Sequence, residues 1–340
     1  MKTKEYHFTS SNQINQIYGI AKIPNKIKGY VQIIHDKYDY ISRYEKFLEF
    51  LADRGFLAYG IDLIGHGNSV TEEHPLGDLR GDNIPNIIVD DLSEMANKVF
   101  SDFPVENEYV NVKTKGKEMQ MLKPLLHTVI GVGLGASIAR YYVWKAKNVN
   151  ALITIGDVGF STDIKKAIKI YKKEESEDKK YLASEELTEY LEKSYNEGID
   201  DSKLYRNSYR LSDTKDIRIL NKDEKCNFFY TNYAYKSLLL IQNMMNLRQW
   251  FAICPKYLPI YMLSGANDPV TNYTEEIENI LKQIKKTNIR NVFYKYYVDL
   301  RHDILFENKK EVYLDIITFL TVVLKSQDDT FKERKEFINA

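Results

Sequence analysis

The sequence predicts an α/β fold: a mostly parallel central sheet flanked by helices and interrupted by one long helical insertion. Three observations carry this. Short, apolar, β-branched runs alternate with segments of helical periodicity from the N-terminus to about residue 156. From about 160 to 255 those runs stop, and helical segments rich in both charge signs take over. From 258 the strand and helix alternation resumes, so the middle segment is inserted into one domain and not appended to it. The expected division is 1–159 for the first part of the core, 160–255 for the insertion, and 256–340 for the second part.

The elements follow in order. IYGIAKI (17–23), GYVQIIH (29–35), FLAYGID (56–62), LHTVIGV (126–132) and ALITIG (151–156) have the length and composition of buried strands. RYEKFLEFLADRG (43–55) places Tyr44, Phe47, Leu48 and Leu51 on one helical face. Ser42 and Glu45 are spaced as a capping box at its start, and Gly55 as its stop. Two more helices are expected at about 86–102 and 136–147. Residues 104–125 break the rhythm with two polar, weakly alternating arms around Lys115 and Gly116, the pattern of a surface hairpin. In the insertion, the run at 164–196 mixes both charge signs and reads as a solvated helix face. A strand and turn at 258–270, a helix at 274–288, a strand at 291–300 and a helix at 309–325 complete the chain.

Composition narrows the function classes. Lys plus Arg and Asp plus Glu both number 48, so no global charge draws the chain to nucleic acid or an anionic surface. No basic patch interleaved with aromatics suggests nucleic acid either. Two cysteines, Cys226 and Cys254, cannot build a disulfide framework and fit a reducing compartment. No run of about 18 apolar residues marks a membrane span, and the N-terminus lacks the apolar stretch of a signal peptide. A cytoplasmic location is expected. The six histidines (7, 35, 66, 74, 127 and 302) show no metal-ligand spacing, so neither a metal nor a cofactor is expected.

Function turns on VIGVGLGAS (129–137), a strand, a glycine turn and a helix start. Gly131, Gly133 and Ala136 match a dinucleotide-binding turn, with Asp157 near the position that holds a ribose. Such a turn normally opens its βαβ unit, whereas here several units precede it. Gly131 and Gly135 also match the G-x-S-x-G nucleophile elbow, with Gly133 where its serine belongs. An elbow requires an acid and then a histidine after later strands. Asp268, in SGANDPV, and His302, in RHDILFE, stand in that order.

Together these segments resemble the α/β-hydrolases of the monoacylglycerol lipase and lysophospholipase type, grouped with the S33 serine aminopeptidases. The stretch 31–69 is similar to that family's oxyanion loop, first helix and Gly65-His66-Gly67 turn. The stretch 211–239, around Cys226, Phe228 and Thr231, is similar to its lid. The resemblance implies Asp268 and His302 as the retained acid and base, the backbone N–H groups of Lys37 and Leu134 as oxyanion donors, and Gly133 as a vacant nucleophile position.

Two departures stand in one site. Gly133 has no side chain to activate, and Asp36 replaces the glycine that follows the family's oxyanion-loop histidine, here His35. A carboxylate aimed inward there would oppose a developing oxyanion. Ser137, a helical turn past the elbow, reads as a small packing residue, and the cysteines as buried apolar ones. His35 and His66 read as structural turn residues. The expectation is a catalytically deficient hydrolase homologue that binds an apolar or acyl-type ligand or a partner. The alternatives are an ester or lysophospholipid hydrolase that is weak or serine-independent, and a nucleotide-binding oxidoreductase.

Overall fold

The computed structural model describes residues 1–105, 109–114, 117–122, 126–146, 148–158, 166–167, 169–172, 179–183, 185–196, 198–199, 206–245, 248–307 and 310–339. Strands β1 (Lys2–Thr9), β2 (Gln16–Ile23) and β3 (Gly29–Ile34) open the chain, followed by α1 (Glu45–Asp53), β4 (Phe56–Ile61) and α2 (Ile84–Asp102). The hairpin β5 (Tyr109–Thr114) and β6 (Lys117–Leu122) precedes β7 (His127–Val132), α3 (Leu134–Lys145) and β8 (Ala151–Ile155). Helices α4 (Glu185–Glu192), α5 (Thr214–Leu220), α6 (Asn232–Met245) and α7 (Arg248–Ile253) occupy the middle segment. Then come β9 (Ile260–Gly265), α8 (Glu275–Ile284), β10 (Val292–Tyr297) and α9 (Lys310–Asn339).

Eight strands form one sheet in the order β1-β2-β4-β3-β7-β8-β9-β10. From β4 to β10 every neighbour is parallel, while β1 and β2 add antiparallel pairs at one edge. Strands β3, β4, β7 and β8 are buried along their whole length, which is why their sequences are continuous apolar runs. Alternate residues feed two cores. Ile34, Val129 and Leu152 face α2 and α3 on one side, whereas Ile33, Ile130 and Ile153 face α1 and α9 on the other. Tyr235, Leu238, Ile241 and Trp250 of the middle segment join the first of these cores, so that segment packs directly on the sheet's own helices.

Register positions the site. Ile34 of β3 pairs with Gly131 of β7, so Asp36 and Gly133, each two residues on, leave the sheet side by side. Val132 pairs with Ile155 of β8, and Ile155 with Leu263 of β9, which brings the next turns to the same end. Ligands of open parallel sheets bind at this carboxyl end.

Four expectations need correction. Strand β1 has no counterpart among the expected elements, because only Tyr6 and Phe8 of its eight residues are buried and its alternation is faint. The Ser42–Glu45 capping box does not form. Ser42 lies within a 3-10 turn (Ile41–Tyr44), and α1 starts from Tyr44 with no side-chain cap. Gly55 does follow the helix, at φ +92°. The helix after the elbow starts at Leu134, two residues early, because the turn closes within Gly133 alone. The last helix runs on to Asn339, past the expected 325. The hairpin is present, although its Lys115-Gly116 tip, much of the charge run at 164–196 and the 159/160 boundary fall outside the described residues. No described helix is long and apolar enough to cross a membrane.

Candidate active site

The turn after β7 has the geometry of an elbow. Gly133 sits at φ +55°, ψ −118°, a conformation that costs a residue with a side chain about 1–3 kcal/mol. Its flanking glycines are there for contact. A Cβ at Gly131 would lie 2.2 Å from the Gly135 carbonyl oxygen, and one at Gly135 would lie 2.3 Å from that of Ile34. Strand, turn and helix therefore pack backbone to backbone.

Asp268 and His302 meet at this turn. Asp268 follows β9, where its Oδ1 accepts the Val270 N–H at 2.9 Å. Its Oδ2 bonds His302 Nδ1 at 2.8 Å. Gly156, at φ +60°, forms the floor under the ring, since a Cβ there would come within 2.9 Å of His302 Cε1. Asp268, His302 and Asp36 are all buried.

The third member of the cluster is a carboxylate. Asp36 aims inward. Its Oδ1 accepts the Leu134 N–H at 2.7 Å, and its Oδ2 lies 3.3 Å from His302 Nε2. A Cβ built on Gly133 would lie 2.1 Å from Asp36 Oδ1 and 2.3 Å from its Cγ. The carboxylate therefore fills the space a side chain at residue 133 would need. Asp36 does not use a left-handed backbone, so no glycine is required at that point of the loop.

Electrostatics lock the cluster. Burial opposes charge on Asp36, but the bond and charge of His302, with Arg210 and Lys37 nearby, hold its carboxyl well below the usual carboxylate range. Burial likewise opposes charge on His302, yet Asp268 and Asp36 together raise it well above an ordinary histidine. His302 is thus an imidazolium that donates from both ring nitrogens. An imidazole in this state has no lone pair to accept a proton.

A second, deeper network was not read from the sequence. Arg210, fully buried in the middle segment, donates to Asp39 Oδ2 at 3.0 Å, to the Tyr38 carbonyl oxygen at 2.9 Å, and pairs with Asp303 at 2.9 Å. Arg43 adds a bond to Asp39 at 2.7 Å. The Asp303 N–H donates to the Arg210 carbonyl, and Arg301 Nη1 donates to the carbonyls of Ser208 and Leu211. The segment 208–211 is thereby stitched to the histidine loop, and the Tyr209 ring stands beside that of His302 with centroids 6.1 Å apart. Asp39 and Arg210 are 171 positions apart and show no shared spacing, so nothing in the sequence signals their pairing.

The other sequence candidates fall into place around this site. His35 accepts the Leu63 N–H and donates to the Asp36 carbonyl, and His66 bonds the Ile64 and Lys37 carbonyls. Both are buried struts of the loop, and burial lowers His66 to about 3. The Lys37 carbonyl also accepts the Tyr230 hydroxyl. Cys226 and Cys254 are buried free thiols, each pushed up by burial to about 12. Ser137 is buried, and its Oγ has no hydrogen-bond partner among the described residues. Asp157 is bonded to Arg140 at 2.9 Å within the helix packing and is not placed for a ribose. The α3 N-terminus, where a dinucleotide phosphate would sit, carries the Asp36 carboxylate instead. Among the described residues, Asp36, His302 and Asp303 could bring ligand atoms within 4.8 Å of one another, but Asp303 is committed to Arg210 and His302 to the two carboxylates.

The sheet order, elbow turn and histidine loop define an α/β-hydrolase fold. The model of the S33 serine aminopeptidase family matches residues 25–309, and the chain belongs to that family. A thermostable carboxyl esterase from Bacillus coagulans superposes with TM-score 0.83 at 22% identity, covering 95% of this chain and 99% of that one. A lipase in its open form gives 0.80 at 20% identity, again with 95% and 99% covered. A soluble variant of the Saccharomyces cerevisiae monoglyceride lipase gives 0.67 at 14%, with 95% and 94% covered. No protein of curated function is matched.

Proposed function

We propose that this esterase- and lipase-like chain is catalytically deficient as a serine hydrolase and acts by binding an apolar or acyl-type ligand. One observation carries it: the Asp36 carboxylate fills the position a nucleophile side chain at residue 133 would take. In this reading Asp268 and His302 are the retained acid and base, Gly133 is the vacant nucleophile position, and Lys37 and Leu134 mark the oxyanion donors. Each partner of the lost serine is engaged. Leu134 N–H already holds a carboxylate oxygen, and His302 Nε2 faces the other. A carboxylate in that place resembles the acid product that an ester hydrolase would release, held in cis. The helices between β8 and β9 serve as the lid, with segment 208–211 as its clasp on the histidine loop.

The test measures hydrolysis of nitrophenyl butyrate and monooleoylglycerol, together with labelling by a fluorophosphonate probe. The native chain should show neither turnover nor labelling. Labelling of a serine in the native chain, or ester turnover lost on His302→Gln, overturns the proposal. Monooleoylglycerol should still raise the Tm of the native chain.

A further inference from the structure

The last strand of the sheet ends on an open edge. We propose that this edge is a docking surface for a second copy of the chain, the two β10 strands pairing antiparallel so that two sheets become one. The proposal concerns assembly, and it stands whether or not the candidate site hydrolyses esters.

Strand β10 closes the sheet order and has β9 as its single neighbour there. Which groups it leaves open follows from the register. The Ile260 N–H donates to the Asn291 carbonyl, and the Ala266 N–H to the Tyr297 carbonyl, each at 2.8 Å. Successive residues of a strand turn their backbone groups to opposite sides, so 291, 293, 295 and 297 address β9. Val292, Tyr294 and Tyr296 address the outside, and among the described residues nothing bonds their backbone groups there.

Such a row is a template for another strand, and proteins commonly guard it with lysine, proline or a bulge. β10 has no proline, and its one charge, Lys295, is held back over the α9 face by Glu311 and Asp315, each at 2.7 Å. The opposite edge of the sheet differs, since β1 carries Lys2, Lys4 and Glu5. Around the open edge the surface is apolar. Phe293, Tyr294 and Val298 are 53%, 56% and 74% exposed. Val322, 56% exposed, follows Asp315 and Phe319 on the side of α9 that touches β10.

Self-complementarity selects the occupant. Two identical strands pair antiparallel about a two-fold axis. Centred on Tyr294, the axis sets Tyr294 against Tyr294 of the second copy and Val292 against its Tyr296, so all three outward residues exchange hydrogen bonds. Between them Phe293 faces Lys295 of the second copy, an aromatic ring beside a cation. A centre at Lys295 would oppose like charges, and a centre at Phe293 would leave Tyr296 opposite Arg290, outside the strand. The Tyr294 register avoids both faults. Because the paired strands run in opposite directions, the two candidate sites open to opposite sides of the joined sheet.

The experiment follows the native full-length chain by light scattering on a sizing column and by sedimentation velocity, over a micromolar dilution series. The native chain should show twice the mass of one chain. Tyr294→Lys, at an exposed position, should be a monomer with native circular dichroism. Register is read by cysteine crosslinking, since Cys226 and Cys254 are buried. Tyr294→Cys should oxidise to a covalent dimer, because a hydrogen-bonded antiparallel pair sets its Cα atoms about 5.5 Å apart, within disulfide reach. Val292→Cys alone should not crosslink, whereas a mixture of Val292→Cys and Tyr296→Cys should. A native chain that is monomeric throughout the series overturns the proposal and leaves the edge to a strand from another protein. A dimer unaffected by Tyr294→Lys overturns it as well, as does Val292→Cys crosslinking as readily as Tyr294→Cys. Two independent kinds of variant address the edge, so one that fails to fold leaves the test intact.

Discussion

Placing a serine at residue 133 is expected to harm this protein before it helps it. The new Cβ would lie 2.1 Å from Asp36 Oδ1 and 2.3 Å from its Cγ, so the carboxylate must leave. Leaving breaks the Leu134 N–H bond, a contact to a charged group worth about 1.5–3 kcal/mol. It also separates the carboxylate from His302, and the φ of +55° adds about 1–3 kcal/mol of backbone strain for a residue other than glycine. The destabilisation of Gly133→Ser is therefore about 4 kcal/mol, a Tm lower by about 8 °C at roughly 2 °C per kcal/mol. Asp36→Gly combined with Gly133→Ser removes the collision but keeps the strain. The double variant should thus be more stable than the sum of the two single losses by about 2 kcal/mol. Thermal and urea unfolding of the four chains measure this cycle, and nitrophenyl butyrate hydrolysis should appear only in the double variant. Additivity within about 0.5 kcal/mol would refute the claim that residues 36 and 133 contest one space. Ester turnover by Gly133→Ser alone would refute it as well.

Four further outcomes follow from other contacts. In Asp36→Asn, His302 loses one of its two carboxylates, so its titration midpoint, followed by NMR, should fall; an unmoved midpoint means the contact is absent in solution. The sign for stability is set by both shifts. The raised His302 contributes fully below about pH 6.5 and is lost only as pH climbs through its higher folded value, while the depressed Asp36 contributes above about pH 4 and is lost in acid. Asp91, raised by burial to about 6 and bonded by Ser10 and the Ser11 N–H, has the opposite sign: the fold loses stability as pH rises from about 4 through 6. Asp91→Asn should flatten that slope, gaining on the order of 2 kcal/mol relative to native between those limits, and parallel curves would disprove it. Arg210→Met strands the buried Asp39 and Asp303 and should cost about 3–5 kcal/mol in urea unfolding, with faster proteolysis near 206–212. Ser137 Oγ is buried without a hydrogen-bond partner among the described residues, so Ser137→Ala should be neutral or mildly stabilising.

The fold was legible because buried parallel strands must be apolar on both faces, and runs such as Val129–Val132 admit few other readings. The pairing of Asp268 with His302 was legible because an elbow calls for an acidic residue and a histidine after later strands. The inward aim of Asp36 was only conditional in the sequence. It depends on the register that sets Ile34 against Gly131, which no local pattern reveals. The Arg210 network was hidden for a related reason: its partners come from the loop after β3, the middle segment and the histidine loop, and charged residues in a sequence read first as solvated. The capping box misled because Ser42 and Glu45 have the right spacing but the 3-10 turn at Ile41–Tyr44 intervenes.

The contact between Asp36 and Gly133 also imposes an order on history. A serine arriving at 133 while Asp36 is present meets an occupied place, so a change at residue 36 has to come first. The constraint holds in the mirrored sense too, since an inward Asp36 requires that residue 133 carry no side chain. A single step to serine at 133 is thereby costly. The pair behaves as a ratchet, and any route between the two arrangements passes through a chain with glycine at 133 and a residue at 36 that leaves the space beside it open.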